Sequence, residues 1–265
     1  MTPAELLAHY DNGQPWPAAG GSDSAHDVAQ AYQAALAVRQ LRLDRGELPQ
    51  GFKIGFTNRG IWQRYNVTAP IWGTVWNTTL VFCEGEGEVA LRAVCQPRIE
   101  PETVFGMRAS PKADATLDDM FDAIEWMAPG FEIVQSHLPG WKFATPDAVR
   151  DGALHARLLV GRRVAVRDVA SSAAQLDALL ARTGVVLRCG TREVERGVGS
   201  NVLDSPLRAL HHFLLELRQC PGAPALLPGD VVTTGTWTDA CPVAAGETWS
   251  AAFDSPLTPL QVRFS

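Results

Sequence analysis

Three glutamates set in apolar sequence constrain this chain more than any other feature. Two lie one residue apart in Arg98-Ile99-Glu100-Pro101-Glu102-Thr103-Val104-Phe105, and the third lies in Gly130-Phe131-Glu132-Ile133-Val134. Alternate residues of a strand share a face, so Glu100 and Glu102 converge while Pro101 points away. Glu132 has only apolar neighbours in Phe131, Ile133 and Val134, and an unpaired carboxylate in such surroundings is strongly unfavourable. Any fold of this chain must therefore bring a compensating charge to these acids. Three oxygen ligands meeting in one place are what Mg²⁺ or Mn²⁺ requires, with positions left for water or substrate. Glu84-Gly85-Glu86-Gly87-Glu88 repeats the pattern, but its interleaved glycines read as a solvated turn.

The rest of the sequence narrows the class. With 265 residues, 46% hydrophobic and 20% charged, the chain has the balance of a globular protein able to bury a sizeable core. A net charge of −6 without a basic stripe argues against nucleic acid as the main partner. No apolar run approaches the ~18 residues that span a bilayer, so no membrane role is expected. Met1-Thr2-Pro3-Ala4-Glu5 carries no charged leader followed by an apolar core, which makes the cytoplasm the expected location. The five scattered cysteines form no C-x-x-C pair and read as free thiols of a reducing compartment.

Residues 2–10 and 24–45 carry helical signals, the second with Ser24 or Asp23 as N-cap and Gly46 as its stop. Residues 1–48 thus form a helical N-terminal segment ahead of a β-rich catalytic domain, 49–265. In the latter, strands are expected at 52–56, 80–82, 98–104, 131–135, 153–160, 163–166, 185–189, 230–236, 248–253 and 260–264. Helices are expected at 57–65, 118–127, 172–182 and 206–219. Short strands interrupted by a few helices define an α+β fold dominated by mixed β-sheet.

Lys53 sits in the glycine-bracketed segment Gly51-Phe52-Lys53-Ile54-Gly55. Such glycines suggest close backbone approach, and a lysine beside a forming oxyanion can stabilise charge or deliver a proton. His137 offers a near-neutral acid or base. Trp62, Trp72, Trp76 and Trp141 offer apolar lining that excludes water. H-E-x-x-H, G-x-S-x-G and Walker-type signatures do not occur in the sequence.

Taken together, Gly51-Phe52-Lys53-Ile54-Gly55-Phe56-Thr57, Ala69-Pro70-Ile71-Trp72-Gly73, the three-glutamate series and the closing Gly229-Asp230-Val231-Val232-Thr233-Thr234-Gly235-Thr236 resemble the 2-keto-4-pentenoate hydratase / 4-oxalocrotonate decarboxylase family of the fumarylacetoacetate hydrolase superfamily. The resemblance runs from about Leu36 onward. It implies a mixed β-roll preceded by helices, a divalent cation (Mg²⁺ or Mn²⁺) on Glu100, Glu102 and Glu132, and Lys53 as the active-site lysine, beside which His137 is the candidate acid or base that its residue type suggests. Lys53, Trp72 and Thr236 would contact a small unsaturated 2-oxo acid from aromatic-compound degradation. It also implies a homo-oligomer, or a hetero-complex with a related pathway enzyme. Many hydratases of this family carry an acid where this chain has Ile71, a departure that leans toward the decarboxylase branch. Hydrolysis of acylpyruvates, or a non-catalytic partner subunit, are the alternative roles.

Overall fold

The computed structural model describes residues 1–17, 27–65, 67 and 69–265. Two helices open the chain, α1 (Pro3–Asn12) and α2 (Val28–Asp44). A capping box of Thr2 and Glu5 starts α1, and the Asp27 side chain accepts from Gln30 N to start α2, satisfying amides that would otherwise be orphaned. The expected caps Ser24 and Asp23 lie outside the described residues. Then follow β1 (Pro49–Gly55), α3 (Trp62–Tyr65), β2 (Ile71–Trp76), β3 (Leu80–Phe82), β4 (Glu86–Val89) and β5 (Arg98–Met107). The middle of the chain forms α4 (Leu117–Ala123), β6 (Ile124–Val134), α5 (Thr145–Arg150), β7 (His155–Val160), β8 (Val164–Ala165), α6 (Val166–Val169) and α7 (Ala173–Arg182). It closes with β9 (Gly184–Cys189), β10 (Arg192–Val198), α8 (Pro206–Gln219), β11 (Val231–Thr233), β12 (Cys241–Pro242), β13 (Thr248–Phe253) and β14 (Leu260–Phe264).

The strands make two mixed sheets. The larger runs β2-β1-β11-β5-β6-β7-β3, with β12 added to β5 and β8 to β6, and the smaller runs β10-β9-β13-β14-β4. Strands distant in sequence close both sheets, since β1 pairs with β11 and β4 with β14, each in parallel. The smaller sheet meets the larger at Gly87, where an added Cβ would fall 2.6 Å from a Leu159 methyl. Helices pack beside it on the same face of the larger sheet. Phe213 of α8 packs on Phe52 of β1 with ring centroids 5.1 Å apart, and Tyr32 of α2 stacks on Trp72 of β2 at 4.8 Å. This arrangement is the α+β mixed-sheet roll with helices in front that the sequence implies.

Three local expectations change. The helix expected over 118–127 ends at Ala123, and Ile124 begins β6. Ile124 and Met127 suit a helical face equally well, but here they pair with β5 through Met107↔Ile124 and Phe105↔Met127, so sheet pairing overrides local periodicity. Glu86–Val89, read as part of a turn, is an edge strand whose glutamates are exposed. The strand expected over 230–236 stops at Thr233, which frees the next backbone amides for another use.

Candidate metal centre and substrate cavity

β5 and β6 form the longest antiparallel pair, and their register places Glu100 directly opposite Glu132. Glu102, two residues on, shares the face of Glu100. One carboxylate oxygen from each of Glu100, Glu102 and Glu132 lies within 4.8 Å of the others. Glu102 and Glu132 have no solvent exposure, and Glu100 is partly buried.

Each buried acid gives one oxygen to hydrogen bonds within the protein and leaves the other without one. Glu102 Oε2 accepts from Thr234 N at 2.9 Å and Gly235 N at 2.7 Å, while Oε1 has no hydrogen-bond partner. Gly235 must be glycine: its φ is +95° and a Cβ would fall 1.8 Å from Thr57 Oγ1. Glu132 Oε1 is 2.8 Å from His155 Nδ1, while Oε2 also lacks a hydrogen-bond partner and stands 3.3 Å from Lys53 Nζ. Buried oxygens without donors are costly, and a hard cation supplies what they lack. The residues therefore fit a divalent metal.

The electrostatics agree. Burial, reinforced by the charges of Glu132 and Glu100, raises the Glu102 carboxyl well above the ordinary range. Burial pushes Glu100 up to about 7, against the opposing pull of Lys53. Lys53, 2% exposed, is disfavoured as a cation by burial, yet the fields of Glu132, Glu100 and Glu102 outweigh this and raise its pKa. Lys53 Nζ also donates to the Ala153 carbonyl at 2.8 Å. Burial lowers the pKa of His155 despite its bond to Glu132. A neutral ring that donates from Nδ1 to Glu132 has Nε2 left to accept from the Thr79 hydroxyl, 2.9 Å away.

A cavity of ≈ 290 Å³ opens beside this group, close to the lower end of the range for small-molecule sites. Lys53 and Glu100 line its floor side, with Ile71, Leu154 and Val134 as apolar wall and Phe56, Phe143, Trp141 and Arg98 around it. The Arg98 guanidinium lies 4.2 Å from the Trp141 ring centre.

The structure gathers Lys53, Glu100, Glu102, Glu132 and, on the cavity wall, Thr236. It does not bring His137 there. His137 is fully buried between Trp16 and Tyr10, where Asp151 takes both its backbone N–H and its Nδ1. Trp72 is also elsewhere. In the β1–β2 register Gly73 lies opposite Lys53 and Trp72 opposite Ile54, so the indole turns to the opposite face, against Tyr32. Trp76 packs under Arg42 and Trp62 donates to the Phe56 carbonyl, which leaves Trp141 as the one expected tryptophan lining the cavity. Sequence reasoning missed His155 and the Thr234 and Gly235 amides. A histidine opening a strand carries no local signal, and backbone donors have no side chain to read.

Comparison with known proteins places this geometry. No family model matches the chain. It is 30% identical over 188 residues to a 4-oxalocrotonate decarboxylase of Pseudomonas sp., covering 71% of this chain and 69% of that protein. It is 30% identical over 223 residues to the 2-hydroxyhexa-2,4-dienoate hydratase of Comamonas testosteroni, covering 83% and 80%. The chain belongs to the 2-keto-4-pentenoate hydratase / 4-oxalocrotonate decarboxylase family. Among solved structures, the 4-oxalocrotonate decarboxylase of Pseudomonas putida G7, complexed with magnesium and adipate, superposes with a TM-score of 0.87 at 24% identity, over 99% of this chain and 95% of that one. The fumarylpyruvate hydrolase of Pseudomonas aeruginosa, in complex with Mn²⁺ and pyruvate, gives 0.61 at 16% identity, over 80% and 88%.

Proposed function

We propose that this protein is a divalent-metal-dependent lyase of small unsaturated 2-oxo acids, and that it favours loss of CO₂ over addition of water. The observation that carries the reading is the trio of carboxylates converging within 4.8 Å beside a buried lysine. Glu100, Glu102 and Glu132 would hold Mg²⁺ or Mn²⁺, which when bound acts as a Lewis acid toward a chelating 2-oxo acid.

The chain's own residues do the rest. Lys53 keeps its proton because three acids surround it, so a fixed positive charge faces the cavity before substrate arrives. Preorganised charge of this kind lowers the barrier for anion formation most, and Nζ is a proton donor on the cavity lining.

The preference for decarboxylation rests on the cavity lining. Ile71 lines the cavity at the position where many hydratases of the family carry an acid, and the one lining acid outside the trio, among the described residues, is the exposed Asp239. Names of relatives cover both reactions, so a direct assay decides. Purified protein is given 4-oxalocrotonate or 2-hydroxypent-2,4-dienoate, with Mg²⁺, with Mn²⁺ or with chelator. The expected result is metal-dependent CO₂ release from the first and little hydration of the second. Efficient hydration of the second reverses the preference, and turnover undiminished by chelator removes the metal from the mechanism.

A further inference from the structure

Three consecutive residues before β7 adopt left-handed backbone: Gly152 (φ 62), Ala153 (φ 55) and Leu154 (φ 67). For Ala153 and Leu154 this costs on the order of 1–2 kcal/mol each, and such conformations persist only where the surroundings over-determine them. The surroundings here are specific. Asp151 begins the segment, is 5% exposed, and accepts from His137 N at 2.9 Å and from His137 Nδ1 at 2.5 Å. The Leu154 carbonyl accepts from Gln135 N at 2.8 Å. The Gly152 carbonyl passes so close to β2 that a Cβ on Gly73 would fall 2.3 Å from it. Between these anchors the Ala153 carbonyl is delivered to Lys53 Nζ.

We propose that His137 and Asp151 are positioning residues, a buried clamp that holds the left-handed segment so that the Ala153 carbonyl fixes the ammonium of Lys53. The carbonyl needs no side-chain chemistry, which explains why the clamp sits outside the cavity. Of the donors around the segment, the His137 ring and amide are the ones given by side-chain recognition of Asp151. Without them a buried carboxylate loses its partners, and the favourable outcome is for residue 151 to turn toward water. The left-handed turn then relaxes and Lys53 loses its anchor. A misplacement near 1 Å at a catalytic group can cost ~10²-fold in rate.

The kinetic consequence rests on the proposed role of Lys53, so the first test does not require turnover. The chain has three lysines, Lys53, Lys112 and Lys142. Competitive acetylation in Mg²⁺-containing buffer, read by peptide mass spectrometry, measures Lys53 against the exposed Lys112 as internal standard. In Asp151→Ala, labelling of Lys53 should rise about tenfold as the segment opens, and Asp151→Asn, which keeps one of the two acceptor oxygens, should raise it less. A folded Asp151→Ala protein with unchanged Lys53 labelling overturns the inference. If Asp151→Ala does not fold, His137→Phe carries the same test with the same two outcomes. The second test uses 4-oxalocrotonate. Asp151→Ala should lower kcat with KM and Mg²⁺ affinity within about twofold of wild type, and should cause no further loss in a Lys53→Met background, since coupled residues are non-additive. Equal losses in both backgrounds would make the pair merely structural and overturn the inference.

Discussion

Two E-x-E segments in this chain have opposite fates. Glu86-Gly87-Glu88 lies on β4, the edge of the smaller sheet, with both glutamates exposed. Glu100-Pro101-Glu102 lies on β5, inside the larger sheet between β11 and β6. Both are strands, and in both the acids share a face. What differs is what covers that face. Water covers the first, and a single strand neighbour leaves its acids nothing to converge on. The second has Glu132 opposite Glu100, Lys53 at 3.3 Å from Glu132, and two amides donating to Glu102. A spacing therefore becomes a site only when sheet position removes solvent and supplies a third and fourth group.

The sharpest way to break this contrast is Glu132→Gln. It should abolish calorimetric Mg²⁺ binding and lower turnover about 10³-fold, the several kcal/mol expected of metal charge stabilisation. Retained binding would mean the buried acids are no more functional than the exposed ones. Next, Lys53→Met keeps most of the side-chain volume and should cost ~10² in kcat while Mg²⁺ still binds. A near-normal kcat in the folded variant would remove Lys53 from the mechanism.

A smaller effect follows from pH. Glu100 has a folded pKa of about 7, above the ~4.3 of an unfolded glutamate. Between those values the native state binds the extra proton, so metal-free stability falls as pH rises through this window. Urea unfolding of metal-free wild type and Glu100→Gln should show the stability difference shifting against wild type between about pH 4.5 and 7. A constant difference would show that Glu100 is solvated like its edge-strand counterparts. Smallest of all, Glu86→Gln and Glu88→Gln should leave turnover unchanged and alter stability by no more than about 0.5 kcal/mol. Larger losses would give the edge segment a role that its exposure denies.

How much of this was legible depended on whether a signal was local. The convergence of Glu100 and Glu102 follows from strand phase, and the apolar neighbours of Glu132 marked it as needing a partner. Lys53 was visible through its flanking glycines. His137 misled because a near-neutral pKa says nothing about where a side chain lies. Its place is set by Asp151, fourteen residues on. Trp72 misled because Ile71–Trp76 was not read as a strand. With β2 in register against β1, phase alone turns Trp72 away from Lys53. The helix expected through Met127 failed because burial of Ile124 and Met127 satisfies either period, and only pairing with β5 decides.

The amides that hold Glu102 come from residues 132 and 133 positions later in the chain. At a synthesis rate of ~5–20 residues per second, Glu102 is incorporated roughly 7–27 s before Gly235. For most of that interval the nascent chain holds all three acids and Lys53 but neither β11 nor the donors that follow it. A hairpin of β5 and β6 alone would crowd like charges with no counterpart from the late strands. Like charges oppose closure of that pair, and the donors that complete the site come only from Thr234 and Gly235, close to the end of the chain. A C-terminally trimmed product would carry Glu100, Glu102, Glu132 and Lys53 yet lack the two amides that hold Glu102 in place.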